Sequence, residues 1–224
     1  AMGGDKAPQI IVDGAIQTKI RHPYVKFSFY GNKTKLLPLI SSSEVLKESE
    51  IVHTDEFIDA NEKPSIAVRK GRNSSMGMAI QSVKSGKADA IVSAGNTGAL
   101  MAMAKLFLRP IEGINRPAIA AYFPTITGES CMLDLGANID CDAKNLVQFA
   151  FMGQAFANIV MGVDNPSISL LNIGEEEQKG LDYIKEASQI LSDLKSQINY
   201  AGFIEGDKIA QGISDVIIAD GFSG

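Results

Sequence analysis

The feature that most constrains the fold is a regular alternation between short apolar runs and longer segments of helical periodicity. The apolar runs carry valine, isoleucine and leucine at successive positions, as in strands that are covered on both faces. The helical segments between them act as crossovers, which join parallel strands. The sequence therefore predicts an α/β fold: a doubly wound, mostly parallel sheet in an αβα sandwich. We expect strands within residues 25–31, 51–54, 88–95, 130–136, 167–174, 198–206 and 214–221.

Helices are predicted where apolar residues recur every three to four positions. Ser74 and Gly86 fit the two ends of one helix, because serine caps a helix start and glycine ends a helix. Residues 143–162 predict a long helix whose core-facing stripe consists of Leu146, Phe149, Gly153, Phe156, Ala157 and Val160. The helix after the next strand has a second stripe, which consists of Leu181, Ile184, Ala187, Leu191 and Leu194.

The two ends of the chain each predict half of a strand–helix unit. Gly3 and Gly4 suit a tight turn and Pro8 suits the first turn of a helix, but no strand precedes them. The last strand ends in ADGFSG, with no helix after it. We therefore expect residues 1–224 to form a single α/β catalytic domain that lacks the first strand and the C-terminal helical part of a longer protein.

Composition and charge exclude several classes of protein. The chain has 224 residues, 45% of them hydrophobic, and its net charge of −5 argues against a nucleic-acid binder. Its two cysteines, Cys131 and Cys141, form no disulfide framework, which favours a reducing cytoplasm. The first residues lack the pattern of a signal peptide. The most apolar stretch, residues 90–108, contains polar residues and two glycines, which argue against a membrane span.

The loops between predicted strands and helices combine glycine with asparagine, aspartate, serine or threonine. Glycine lets a backbone approach a ligand closely, and the N–H groups at a helix start favour an anion. By the predicted topology these loops lie on one rim of the sheet, which indicates a phosphate or other oxyanion site. The alternative for each loop is plain turn chemistry, and neither GxGxxG nor GxxxxGK[ST] is present. The predicted phosphate- and substrate-binding residues are Gly3, Gly4, Asp5, Asn73, Ser74, Ser75, Gly95, Asn96, Thr97, Gly98, Gly136, Gly174 and Gly221.

The sequence offers no evident catalytic base. Only His22 and His53 are present, both in contexts typical of surface or structural histidines, and there is no GxSxG motif. If the protein is an enzyme, its substrate supplies the nucleophile, and phosphate is ionised near neutral pH. Asp134, Asp140 and Asp142 could hold a metal, but bonds to loop N–H groups and a helix cap are the favoured interpretation, and we predict no metal and no cofactor.

The motifs together resemble the phosphate acyltransferase family of bacterial phospholipid synthesis. They are AMGGDKAP, RNSSM, VSAGNTGALMA, RPAIA, LDLGANIDC, LVQFAFMG, LLNIGEEEQKG and DVIIADGFSG, which follow one another in the family's order and spacing over the whole chain. One departure is Lys6, where family members usually have histidine. The resemblance implies a fold similar to phosphate acetyltransferases and isocitrate or isopropylmalate dehydrogenases.

The same resemblance implies the reaction and its partners. A long acyl group passes from acyl-acyl carrier protein to inorganic phosphate and gives acyl phosphate. Family members form homodimers, and the resemblance leaves peripheral association with the membrane open. On motif grounds Lys179, Asn138 and Asp220 are the predicted catalytic residues, with Lys179 facing the developing charge; an ordinary exposed lysine is the alternative.

A basic cluster in AVRKGRNSSM is the predicted docking site for the acidic carrier protein. Because the chain is itself net negative, a productive encounter needs a local basic patch. The cluster consists of Arg69, Lys70 and Arg72, and a solvated loop that balances nearby acids is the alternative.

Two other functions compete with the predicted one. A phosphotransacetylase-type enzyme would use the same loops with a short acyl group on coenzyme A. A non-catalytic anion-binding module would bind phosphate without any acyl transfer. A dehydrogenase of the isopropylmalate type is disfavoured, because the sequence has neither the arginine cluster nor the paired aspartates that it needs.

Overall fold

The computed structural model describes all 224 residues and divides them into two compact units, Ala1–Arg109 and Pro110–Gly224. Each unit combines helices with a sheet, and all strand pairs but one are parallel. The prediction of a mostly parallel α/β fold is therefore confirmed. That residues 1–224 act as one catalytic domain stays a prediction.

The first unit contains five helices and a two-stranded parallel sheet. Asn32 caps the second helix, where its side chain accepts a hydrogen bond from the Lys35 backbone. One core lies between the first two helices and the sheet, and a second core lies among the last three helices. The elements are α1 (Gln9–Arg21), β1 (Ser28–Gly31), α2 (Lys33–Ser41), β2 (Glu50–His53), α3 (Pro64–Lys70), α4 (Ser75–Lys84) and α5 (Thr97–Leu108).

The predicted strand within residues 88–95 is wrong. These residues are irregular, and Val92 is 93% exposed. A strand needs a hydrogen-bonded neighbour, and no strand of the chain pairs with this segment. Its β-rich composition alone therefore produces no strand, and the segment leads directly into α5.

The second unit has a five-stranded sheet in the order β3-β4-β7-β5-β6. β3 and β4 form an antiparallel hairpin that the sequence did not predict, and the other strands pair in parallel. The three-residue β7 lies between β4 and β5 and is fully buried. The elements are β3 (Ala120–Thr125), β4 (Gly128–Leu133), α6 (Ala143–Phe156), β5 (Ile168–Leu171), α7 (Asp182–Asp193), β6 (Tyr200–Ile204) and β7 (Val216–Ile218).

Helices α6 and α7 cover one face of this sheet. Phe149 and Leu191 are fully buried there against residues of β4, β5 and β7. Gly153 lets α6 approach the sheet, since a β-carbon at this position would lie 2.5 Å from Val216 Cγ1. The opposite face carries a smaller core around Ile204, Ile209 and Ile217.

Two core-facing stripes are shorter than their sequence patterns predict, one at its end and the other at its start. A π-helical turn, Ala157–Met161, follows α6 and breaks the 3.6-residue period, so Val160 is 55% exposed rather than core-facing. Leu181 precedes the first turn of α7 and is also exposed. None of the helices combines the length and the apolar character that crossing a bilayer requires.

Candidate active site

The backbones of Gly3 and Gly95 touch in the first unit. A β-carbon at Gly3 would lie 2.7 Å from Gly95 Cα, and a β-carbon at Gly4 would lie 2.8 Å from the Ala94 carbonyl oxygen. The φ angle of Gly4 is +96°, which side chains rarely adopt. Only glycine therefore fits where the N-terminal turn crosses the segment before α5, whereas the side chains of Asp5 and Lys6 are exposed.

Ser74 and Asn96 cap the two helices that begin at this part of the unit. Ser74 Oγ accepts from the Gly77 backbone and donates to the Gly71 carbonyl. Asn96 Oδ1 accepts from the Ala99 backbone. The Asn96 amide nitrogen also donates to three carbonyls of the segment before α3, at distances of 2.8 to 3.3 Å. Both predicted phosphate ligands therefore have structural bonds that occupy their side chains.

The N–H groups at the start of α5 remain open. The backbone nitrogens of Thr97 and Gly98 donate to no acceptor in the chain, as expected for the first turn of a helix. Thr97 is exposed and so is Asn73, whose carbonyl accepts from the Thr54 hydroxyl. An anion at this helix start would meet two free donors and the positive end of the helix dipole.

A small cavity connects the predicted loops within the first unit. Gly3, Ser75, Met76 and Ser93 line it, and its volume is about 30 Å³. This volume suits about one water-sized group. A phosphate would therefore have to lie at the open side of these loops. The structure brings the predicted residues from three loops together, while their role as phosphate ligands stays a prediction.

The three cationic side chains of the predicted docking cluster are all exposed. Arg69 and Lys70 end α3, and Arg72 lies in the turn that follows. None of them forms an ion pair, so their charge is available to a partner. Lys70 also lines a cavity of about 280 Å³, but the other lining residues include Asp55, Glu56 and Glu62, whose charges disfavour an anion.

In the second unit, the loop after β4 is organised by a buried aspartate. Asp134 accepts hydrogen bonds from the backbones of Ile119, Ala137 and Asn138 and from the Asn138 amide. The second hydrogen of that amide goes to the Pro117 carbonyl. Asn138, a predicted catalytic residue, therefore has both side-chain donors occupied, and Gly136 lies in the same loop at a φ of +97°.

Two carboxylates of this loop have the structural roles that we predicted in preference to metal binding: bonds to loop N–H groups and a helix cap. Asp134 binds loop N–H groups, and Asp142 forms a capping box with Asn145 at the start of α6. Asp140 contributes its carbonyl oxygen, which accepts from Arg116. The favoured interpretation is confirmed for Asp134 and Asp142.

The loop after β7 contacts the loop after β4. The Gly221 nitrogen donates to the Asn138 carbonyl at 2.8 Å, and a β-carbon at Gly221 would lie 2.7 Å from the Asn138 nitrogen. Asp220 is buried and accepts from the Tyr183 hydroxyl and from the backbones of Phe222 and Ser223.

These contacts decide the charge state of Asp220. Burial alone would raise the pKa of its carboxyl group, but the donors from Tyr183, Ser223 and Phe222 outweigh burial and lower that pKa below its ordinary value. Burial, with Asp220 as hydrogen-bond partner, raises the pKa of Tyr183. Asp220 is therefore an ionised residue that orients backbone and the Tyr183 hydroxyl, and it forms no bond with Lys179.

Lys179 lies in the loop after β5 and is half exposed. Its ammonium group pairs with Glu176 at 2.8 Å, and its side chain crosses the bare backbone of Gly174. The hydrogen bond and charge of Glu176 raise the pKa of Lys179, so it is cationic at neutral pH. Its catalytic role stays a prediction.

Three polar residues of these regions were not predicted as site residues. Ser93 faces the small cavity, Tyr183 holds Asp220, and Asn172 closes the loop that bears Lys179. Asn172 had a signal in the sequence, because it is the polar residue at which a buried strand ends. Tyr183 had none, since its contact with Asp220 joins distant parts of the chain.

The predicted residues thus form one set of loops in each unit. In the first unit they gather around Gly3 and Gly95, and in the second they follow the carboxyl ends of β4, β5 and β7. That the two sets share one rim stays a prediction. Within each set the loops combine positive-φ glycines with cap residues and buried polar side chains, as binding loops of α/β proteins do.

Comparison with solved structures shows the same fold in two acyl-transferring proteins. The phosphotransacetylase EutD from Staphylococcus aureus superposes with a TM-score of 0.68 and 18% identity, over 97% of this chain and 76% of that one. A branched-chain phosphotransacylase from Enterococcus faecalis V583 gives 0.58 and 17%, over 96% and 76%. At these identities the likeness concerns the fold.

Comparison with curated sequences gives much higher identity. A phosphate acyltransferase of Parvibaculum lavamentivorans is 51% identical over 225 residues, and one of Rhodospirillum centenum is also 51% identical. Both alignments cover the whole of this chain but only 62% and 63% of the relatives' own lengths. The model of the family described as fatty acid synthesis protein matches residues 1–224. The chain therefore belongs to this family of fatty acid synthesis proteins.

Proposed function

We propose that the intact protein transfers an acyl group from a thioester to inorganic phosphate. The observation that carries the proposal is the identity of about half of all residues with phosphate acyltransferases along the whole chain. The open N–H groups of Thr97 and Gly98 in the first unit and the cationic Lys179 in the second unit support it, because each of them suits negative charge.

The reaction needs no protein base. An oxygen of hydrogen phosphate attacks the thioester carbonyl carbon, the new C–O bond forms and the C–S bond breaks. The proton of the phosphate passes to the departing sulfur, so the products are acyl phosphate and thiol. The protein has to hold phosphate against the carbonyl and stabilise the oxyanion that develops there. A mechanism without a protein base agrees with this chain, because its two histidines are both exposed.

Each candidate residue has a defined part in this proposal. The loops around Gly3, Gly95 and Thr97 hold phosphate through backbone donors. In the second unit, Lys179 exchanges Glu176 for the negative charge that develops in the transition state, and Asp220 orients the loop after β7. Asn138 positions that same loop rather than donating to the oxyanion, because its amide hydrogens are occupied.

The proposal extends to the donor and to the setting of the reaction. The family resemblance of the sequence supports a long acyl chain on acyl carrier protein, phospholipid synthesis in the cytoplasm and a homodimer, and it is compatible with peripheral association with the membrane. The unpaired cluster of Arg69, Lys70 and Arg72 supports docking of an acidic carrier. A donor on coenzyme A is the competing candidate.

The test is product analysis with the intact protein. Palmitoyl-acyl carrier protein or palmitoyl-coenzyme A is incubated with ¹⁸O-phosphate, and acyl phosphate is measured by mass spectrometry. Labelled acyl phosphate from the carrier substrate supports the proposal, and turnover of the coenzyme A thioester alone favours the competitor. Phosphate binding without any acyl phosphate would leave an anion-binding module.

A matched pair of lysine variants tests the part assigned to Lys179. Lys179→Ala is expected to lower kcat by at least about 100-fold, because the interaction is made in the transition state. Lys195→Ala removes an exposed lysine of the same unit and should leave kcat unchanged. Equal kinetics of the two variants would refute the role of Lys179.

A further inference from the structure

A buried asparagine lies at the base of the loop that bears Lys179. Asn172 follows β5 directly, and its backbone nitrogen donates to the Ile204 carbonyl at 2.9 Å, which extends the pairing of β5 with β6. The residue is 7% exposed. Asn172 is therefore fixed on the sheet rather than in the loop, and its amide projects from a rigid position.

The amide of Asn172 holds two distant points of the loop at once. Its nitrogen donates to the Gly174 carbonyl at 3.1 Å and to the Lys179 carbonyl at 3.0 Å. These two acceptors also settle the orientation of the amide, since the reverse orientation would place Oδ1 against two carbonyl oxygens. Both donors are occupied. One bond restrains Gly174, whose backbone the Lys179 side chain crosses, and the other restrains the backbone of Lys179 itself.

The acceptor side of the same amide has no partner. Asn172 Oδ1 is the one buried side-chain polar atom of the structure without a hydrogen bond. It lies against Gly180, whose φ is +94° and whose missing side chain leaves room for the amide. An unpaired buried acceptor carries a cost in stability, so such a group calls for an explanation beyond folding.

The unpaired Oδ1 is the cost of turning the amide nitrogen toward both carbonyls, and the Lys179 side chain shows what those two bonds hold in place. The Lys179 side chain lies across Gly174, where a β-carbon would meet Lys179 Cδ and would lie 3.0 Å from Nζ. The Asn172 amide holds the backbone at both partners of this contact. Asn172 thus fixes both the Lys179 backbone, from which the side chain extends, and the Gly174 backbone, which that side chain crosses.

We infer that Asn172 is a positioning residue for Lys179: by holding the Gly174 and Lys179 carbonyls, it fixes the direction from which the ammonium group reaches its anion. This inference rests on the proposed function, in which Lys179 faces the anion. It assigns no contact between Asn172 and substrate. A purely structural role, in which Asn172 only closes the loop, is the interpretation to be separated from it.

The loop offers a control for that separation. Glu175 is anchored from another side by Lys208, at 2.6 Å, so the loop has a second attachment that does not involve the Lys179 carbonyl. Lys208→Ala loosens the loop and leaves the Asn172 bonds in place. A structural role predicts similar effects of the two variants, whereas a positioning role predicts an effect of Asn172 alone.

The experiment is a double-mutant cycle on the intact protein with acyl-acyl carrier protein and phosphate. Asn172→Ala is expected to lower kcat about tenfold or more and to change KM for the carrier less than about twofold. In the Lys179→Ala background the same change should cost less than about twofold further, because the residue through which it acts is gone. Lys208→Ala should stay within about twofold of the parent. If Asn172→Ala fails to fold, Asn172→Ser replaces it, since its hydroxyl retains one donor.

A second readout does not depend on turnover. The rate at which acetic anhydride modifies Lys179, relative to Lys195, is measured by mass spectrometry. Asn172→Ala should raise this ratio several-fold, because Lys179 leaves Glu176 and Gly174, and Lys208→Ala should not. Additive kinetic losses, or equal effects of the Asn172 and Lys208 variants on both readouts, would overturn the inference. A parent protein that makes no acyl phosphate would instead overturn the proposed function, and the labelling ratio would still decide whether Asn172 positions Lys179.

Discussion

Gly153 allows a sharp test of how α6 packs on the sheet. A β-carbon there would lie 2.5 Å from Val216 Cγ1 and 3.0 Å from Leu133 Cδ2. Ordinary carbon contacts are about 3.5–4.0 Å, so both neighbours would have to move, yet both belong to strands within the sheet. Overpacking costs about 1–3 kcal/mol, and alanine gains about 0.8–1.0 kcal/mol in a helix interior. Because two contacts are short, the upper end of the overpacking cost applies, and about 3 kcal/mol less the helix gain of about 1 kcal/mol leaves a net destabilisation of about 2 kcal/mol for Gly153→Ala.

Urea denaturation followed by far-UV circular dichroism measures this effect. Gly14→Ala is the control, because Gly14 lies inside α1 with no atom near its β-position, and it should stabilise by about 0.5–1 kcal/mol. Val216→Ala removes the nearest neighbour, so Gly153→Ala should cost less in that background. A Gly153→Ala protein as stable as the parent, with no coupling to Val216, would refute the packing argument.

Three further predictions concern the loops. Asp220→Asn should lower the free energy of unfolding by about 1–2 kcal/mol at pH 7. Because the folded-state pKa of Asp220 is lowered, the stability that the parent has over this variant is present above about pH 4 and decreases as pH falls through the lowered pKa. Urea denaturation of both proteins at pH values from 7 to 3 measures this difference. Asn96→Asp keeps the cap of α5 but sets a carboxylate against three carbonyls, so it should cost about 1–3 kcal/mol in the same assay. Arg69→Glu with Arg72→Glu should raise KM for acyl carrier protein and leave KM for phosphate nearly unchanged. The control is Lys84→Glu with Lys87→Glu, which makes the same change of charge at the end of α4 and in the turn after it. Equal effects of the two pairs on KM for the carrier would exclude a specific docking site.

The local parts of this structure could be predicted from the sequence. The cap at Ser74 and the buried strands β4, β5 and β7 each follow from a few neighbouring residues. Their positions in turn place the glycine-containing loops at strand ends and helix starts.

The remaining features depend on partners that lie far away in the chain. Residues 88–95 have the composition of a strand but no neighbour to pair with, and β3 forms because β4 offers it an edge. The π-helical turn after α6 changes the number of residues per helical turn, and the pattern of apolar residues does not predict this change. In the candidate site, Tyr183 meets Asp220 and Asn172 meets Lys179 only after folding.

The position of β7 also governs the order in which the second unit can assemble. β7 pairs Val216 with both Cys131 of β4 and Ile168 of β5, yet it is made after both of them. Until β7 has been synthesised, β4 and β5 therefore each have an unpaired edge on the side that β7 will occupy, and such edges are prone to pair with other chains. Contacts of such long sequence separation also slow folding, because the loop must close before the pairing is rewarded. The short, buried strand β7 thus completes the sheet, and with the sheet it fixes the loops that carry Asn138, Lys179 and Asp220.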